Sequence, residues 1–246
     1  MNNIGQRIIF EDNHLILLNK LPGELSQGDK TNDATILDDV KLYLKQKYNK
    51  PGNVYLGVPH RLDRPSSGIL VLAKTEKALV RMNDLFRDDN AVKKIYWAVV
   101  DRVPREPEGV VTHYLTRNPT KNKTTASIHE RIQSKKASMR FAIIGASKSF
   151  FLLEIELITG RQHQIRAQLA AMGSHIKGDL KYGAARSNQG GGIHLHARSI
   201  AFVHPIKQEL LTVTAAPPAD PVWDYFASLV DQGTQSTWTM EPQQRK

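Results

Sequence analysis

Residues 60–75 read HRLDRPSSGILVLAKT, His60 to Thr75. One carboxylate, Asp63, stands between Arg61 and Arg64. A Pro-Ser-Ser-Gly turn follows, and then an apolar run from Ile69 to Ala73 that has the length of a buried strand rather than a helix. The segment therefore predicts a tight turn that delivers one acid to the mouth of a strand. Thr75 is placed to cap a helix in which Leu79, Met82, Leu85 and Phe86 share one face. In an extended segment Arg61 and Asp63 point to the same side, and a nearby cation favours the ionised form of a carboxylate. An acid held charged in this way suits a nucleophile or an electrostatic stabiliser better than a general acid. The competing reading is an Asp that caps its turn or makes a structural ion pair.

Outward from this stretch the chain carries further strand and helix signals. Residues 7–19 read as two short strands about the turn Glu11-Asp12-Asn13, and the segment ATILDDVKLYLKQK reads as a helix stopped by Pro51 and Gly52. KKIYWAVVDR and FFLLEIELITG are rich in β-branched and aromatic residues and predict strands. The second runs into RQHQIRAQLAAMG, a helix with Ile165, Leu169 and Met172 inward and Gly173 as its stop. Gln162, His163 and Arg166 are expected to share a face of it. IHLHARSIAFVHP and ELLTVTAAPP predict a closing strand pair, and Asp220 to Leu229 a last short helix. Strands outnumber helices and lack βαβ alternation. The expected class is α+β, with a mixed, mostly antiparallel sheet and flanking helices and loops around a central basic cleft. Residues 1–230 are expected to form one domain, followed by a polar tail over 231–246.

Lys and Arg number 34 against 24 Asp and Glu, a net charge of +10 and a pI near 9.7. Such an excess points to a polyanionic partner, against the alternative of a solvated basic surface. The densest basic cluster, Arg117 to Arg140, predicts an extended hairpin or an arm that reaches phosphates. With no cysteine, the chain has no disulfide, thiolate nucleophile or Cys-ligated zinc. No apolar run reaches 18 residues and no signal-peptide pattern opens the chain, so a cytoplasmic protein is expected, with a monomer as the default. His194 and His196 alternate on one strand and read as hydrogen-bonded strand histidines rather than metal ligands. Tyr96, mid-strand, is either a core residue or a platform for a nucleobase.

Taken together, these segments resemble the RluA-type pseudouridine synthase family. The resemblance rests on NKLPGELSQ, HRLDRPSSGILVLAKT, KIYWAVV, GRQHQIRAQLAAMG, IKGDLKYG and LHARSIAFVHP, in that order, over Asn19 to Pro205. It implies isomerisation of uridine to pseudouridine in tRNA or large-subunit rRNA, with no cofactor and no metal. By the same resemblance Asp63 is the nucleophile, Arg166 the cation that orients it, and Tyr96 the residue that stacks on the uracil. Arg61 would fill the space of the flipped base, and Ile165 and Leu169 would line the pocket. His60, Arg64 and Gln164 lie in the same motifs and are expected to face the RNA. Asp179 is expected to hold a loop. Ser66 stands where many members have Thr. Family-like sequence begins by about Ile8, so the expectation is that the catalytic domain and its loops recognise the target without an S4-type module. Two other classes compete: a non-catalytic RNA-binding or ribosome-assembly factor on the same fold, and a nucleoside glycosidase, which lacks a second placed acid.

Overall fold

A computed structural model of the chain describes residues 3–28 and 33–231. The polar tail predicted for 231–246 lies outside the described residues, apart from Asp231. In chain order the elements are α1 (Ile4–Arg7), β1 (Ile8–Glu11), β2 (Leu15–Lys20), α2 (Ile36–Lys47), β3 (Ser67–Ala73), α3 (Glu76–Arg87), β4 (Val92–Val100) and β5 (Glu108–Asn118). They continue with β6 (Lys123–Ser127), β7 (Lys135–Ala146), β8 (Phe151–Leu157), α4 (Gln164–Ala171), β9 (Leu195–Val203), β10 (Leu210–Thr214) and α5 (Pro221–Asp231).

Among the described residues the strands form one ten-stranded sheet in the order β1-β2-β3-β9-β4-β8-β7-β5-β6, with β10 also on β9. Every pairing is antiparallel except β3 with β9, which touch in parallel only at Ser67–His196 and Gly68–Ala197. The period-two alternation of a strand explains how helices cover both faces. Leu15, Leu17, Ile69 and Val71 pack with Ala78 and Met82 of α3, while Ile16, Leu18, Leu70 and Leu72 pack with Ile36, Val40 and Leu44 of α2. In the other half of the sheet, Ala98, Val100, Leu153 and Ile155 receive Ile165 and Leu169 of α4, and Trp97, Val99 and Leu152 receive Trp223 and Phe226 of α5. This is the α+β architecture expected from the strand-rich pattern.

Two local expectations change. Helix α4 opens at Gln164, with His163 left-handed at φ 54° as its cap, so Gln162 lies outside the helix and shares no helical face with Arg166. The basic cluster does contain a hairpin, β5–β6 about Pro119–Asn122, but its flanks run into longer strands than the sequence suggested.

Candidate active site

The turn bearing Asp63 is clamped from several directions. Ser66 N–H donates to the Asp63 carbonyl at 3.0 Å, Gly23 N–H to Arg64 at 2.7 Å, and Ile193 N–H to Pro65 at 3.0 Å. Ser26 Oγ donates to the Leu62 carbonyl at 3.1 Å. Beneath the turn, the fully buried Lys20 gives its ammonium to the carbonyls of Leu21, Glu24 and Arg64 at 2.9, 3.0 and 3.2 Å. Burial pushes the Lys20 pKa down to about 8, although the charges of Glu24 and Asp63 oppose the shift. At the end of the turn Gly68 has φ 114°, and an added Cβ would collide with the backbone of Ala197. Only glycine lets β3 meet β9 this closely. Next to it, His196 Nε2–H donates to the Ala215 carbonyl at 3.0 Å, so its Nδ1 accepts from Ser67 Oγ at 2.9 Å.

Arg166 reaches this turn from α4. Its Nε and Nη2 hold both oxygens of Asp179 at 2.7 and 2.8 Å, and its Nη1 donates to Asp63 Oδ2 at 3.0 Å. The side chains grow more exposed along this chain, from 1% at Asp179 and 5% at Arg166 to 23% at Asp63, so the open end is the Asp63 carboxylate. Burial works against the guanidinium charge, but the hydrogen bonds and charges of Asp179 and Asp63 outweigh it and raise the Arg166 pKa. The Tyr182 ring lies 4.8 Å from the guanidinium carbon. The Tyr182 hydroxyl accepts from Thr124 N–H and shares a hydrogen bond with His163 Nδ1, both at 2.9 Å. On its other side, His163 Nε2 faces Asp63 Oδ1 at 3.6 Å. Burial lowers the His163 pKa, against the pull of Asp63, and keeps the ring neutral.

Tyr96 is half-buried on β4 and packs against the cluster containing Ile165 and Leu169. Its phenol pKa is raised, first by burial and then by the charge of Asp63, so it stays protonated. Asp63, Tyr96 and Arg166, drawn from three separate motifs, thus meet at one place. The other sequence candidates divide. Arg61 is exposed and has no hydrogen-bonded partner among the described residues. Arg64 turns away from Asp63, donating to the Gly23 carbonyl at 3.0 Å and pairing with Asp33 at 2.9 Å. His60 stacks on Phe86 with centroids 4.5 Å apart, and its Nε2 accepts from Val71 N–H at 2.9 Å. Gln164 is spent on internal bonds to Thr159, Arg161 and Ser138. Ile165 and Leu169 are core residues behind the site, at 3% and 0% exposure.

Sequence reasoning missed the parts played by Asp179, Tyr182, His163 and Lys20. Asp179 was expected to hold a loop, and its carbonyl does accept from Tyr182 and Ala184 N–H at 3.0 and 3.1 Å, but its carboxylate holds Arg166. His196 is a hydrogen-bonded residue of β9, whereas His194 lies in the bend just before that strand, set between Asn188 and Asp220 at 2.9 Å from each. Among the described residues no group of three or more His, Asp or Glu has the geometry of a metal site, and no described helix is long and apolar enough to cross a membrane.

An ionic site of this shape offers one solvent-reaching carboxylate held by a guanidinium, beside an aromatic ring. The chain matches the RNA pseudouridylate synthase family over residues 14–171, a range that includes Asp63, Tyr96 and Arg166. The chain belongs to that family. It is 30% identical over 221 residues to an uncharacterized RNA pseudouridine synthase of Synechocystis sp., covering 88% of this chain and 67% of that one. It is also 30% identical over 228 residues to the ribosomal large subunit pseudouridine synthase D of Zymomonas mobilis, covering 89% and 71%. Among solved structures, human RNA pseudouridylate synthase domain containing 4 superposes with a TM-score of 0.72 at 23% identity, over 93% of both chains. Human RNA pseudouridylate synthase domain containing 1 gives 0.67 at 22% identity, over 89% of this chain and 86% of that one. The protein is thus an RNA pseudouridine synthase, an isomerase acting on RNA, and the two human structures share its fold.

Proposed function

We propose that this synthase isomerises a uridine of large-subunit ribosomal RNA or tRNA, with Asp63 as the nucleophile. The observation that carries the reading is that Asp63 is the exposed end of the otherwise buried chain Asp179–Arg166–Asp63. A uridine inside a stem or stacked loop hides its glycosidic bond, so the enzyme flips the base out at a cost of a few kcal/mol. The Asp63 oxygen attacks the flipped nucleotide and the N1–C1′ bond breaks. The uracil turns, C5 bonds to C1′, the bond to Asp63 breaks and returns its carboxylate, the proton on C5 leaves, and N1 takes one up. The product is an isomer and nothing is consumed. Arg166 keeps the carboxylate charged and aimed. Tyr96 stacks on the uracil, and the exposed Arg61 fills the space the base leaves. His60 and Gln164, turned inward, act by holding the Asp63 turn and the start of α4.

Asp63, Tyr96 and Arg166 come from one chain, so the reading works for a monomer. A ribosomal or tRNA substrate places the work in the cytoplasm. Ribosomal RNA is favoured by the likeness to the ribosomal large subunit pseudouridine synthase D of Zymomonas mobilis. The test is to incubate purified protein with unmodified large-subunit rRNA and tRNA transcripts and to map pseudouridine at nucleotide resolution. Conversion at defined positions is expected. Tight, salt-sensitive binding that leaves every uridine unchanged would favour a non-catalytic RNA-binding factor instead.

A further inference from the structure

Lys94 lies on β4 two residues before Tyr96, so the two side chains leave the same face of the sheet. Along a strand that spacing is ~7 Å, comparable to the span from a base to its own phosphate. Lys94 is 9% exposed, yet its ammonium has no hydrogen bond or ion pair among the described residues. Its stem lines a small cavity between β3, β4 and β9, together with His60, Ile69, Tyr96 and Ile200. A Cβ built on Gly160 would lie 3.9 Å from its Nζ, which places the ammonium at the exposed turn leading to His163 and Arg166. Burial lowers the Lys94 pKa, against the charge of Asp89, which forms no ion pair with it. The ammonium reaches solvent while the rest of the Lys94 side chain is buried, an unpaired cation at the rim of the site; the buried cations of this site, Lys20 and Arg166, are fully engaged.

We propose that Lys94 is a substrate-binding residue whose ammonium takes the backbone phosphate next to the flipped uridine, while Tyr96 takes the base. The inference rests on the function proposed above and deepens it. The arrangement separates two tasks on one strand: an aromatic ring accepts the base, and a cation one pleat away accepts the anion that base flipping carries in with it. Lys94 is largely buried and shares its cavity lining with His60 and Ile69, so its charge is carried by a packed side chain rather than by a free surface one.

The probe is an RNA hairpin with a single loop uridine, made with normal phosphates or with a neutral methylphosphonate immediately 5′ or 3′ of that uridine. Binding is measured against salt for the wild type, Lys94→Met, Lys94→Arg and, as a surface control, Lys93→Met, each checked for an unchanged thermal melt. Lys94→Met is expected to weaken binding about tenfold and to reduce the slope of log affinity against log salt by about one. One of the two methylphosphonates should weaken wild-type binding by a similar factor and leave Lys94→Met binding unchanged. Lys94→Arg should restore most of the loss. Equal losses for wild type and Lys94→Met on phosphate neutralisation, or an unaltered salt slope in Lys94→Met, would overturn the assignment. A wild-type protein that binds the hairpin but never isomerises its RNA would count against the function above and not against Lys94, because the binding measurements read the phosphate contact independently.

Discussion

Asp63 and Asp179 share one guanidinium, but only Asp63 meets solvent. Asp179 uses both oxygens on Arg166 and is sealed in, so its work is to fix the fork that aims the third donor. Replacing one partner of a buried pair leaves the other charge uncompensated, which typically costs about 3–5 kcal/mol. Asp179→Asn is therefore expected to lower stability by about 3 kcal/mol, since Asp63 still contacts Arg166, and to cut turnover more than RNA binding. Urea unfolding and single-turnover assays check both. A variant with native stability and native turnover would show that Asp179 does not position Arg166. Asp63, Tyr96 and Arg166 could be picked out in the sequence because each sits in a strongly patterned motif. Asp179 could not be assigned its partner there, because the pairing depends on how the turn after Ile176 folds back beneath α4. Arg61 and Arg64 flank Asp63 in sequence, yet its cation is Arg166, as the family resemblance implied, from a helix about a hundred residues away.

At the scale of elements, the junction of β3 with β9 holds the two halves of the sheet in register with the Asp63 turn. Gly68 is its critical position, combining φ 114° with the backbone of Ala197 where a side chain would stand. Gly68→Ala adds strain from a disfavoured backbone conformation to overpacking, each worth about 1–3 kcal/mol. A drop of at least 2 kcal/mol in unfolding free energy is expected, with a larger proportional loss of activity because the turn shifts. A variant as stable and active as the wild type would mean that β3 and β9 part easily. Strong periodicity made α2, α3, β3, β4 and β8 visible in the sequence. The full lengths of β5 and β7 were not, since their polar and charged residues alternate on a partly solvated face and resemble a loop. The start of α4 was placed too early for a similar local reason: a left-handed His163 ends the turn, and the helical spacing of the residues around it gives no sign of that break.

The whole molecule carries several histidines that its fold keeps neutral. Burial pushes the His196 pKa down to about 4 and the His60 pKa down to about 3. In the unfolded chain a histidine titrates near 6.5. Below that pH the unfolded chain takes up protons that the folded chain refuses, so this stability is complete above about pH 6.5 and is lost as the pH falls towards 4. One such group changes the unfolding free energy by at most about 1.4 kcal/mol per pH unit. The urea midpoint is expected to be level from pH 7 to 8 and to decline steadily between about 6.5 and 4. A midpoint that holds level to pH 4 would show that these rings are charged in the fold. The class of fold and the polyanionic partner were legible from strand content and net charge, because both are sums over many residues and tolerate local errors.

The account turns on Asp63 as the group that opens the glycosidic bond. Asn at this position keeps an oxygen for Arg166 Nη1 and removes the negative charge. Pseudouridine mapping of rRNA and tRNA incubated with wild-type protein or with Asp63→Asn tests it most directly. The account predicts site-specific conversion by the wild type, none by a folded Asp63→Asn that still binds RNA, and contradiction by an Asp63→Asn protein that converts the same uridines at a comparable rate.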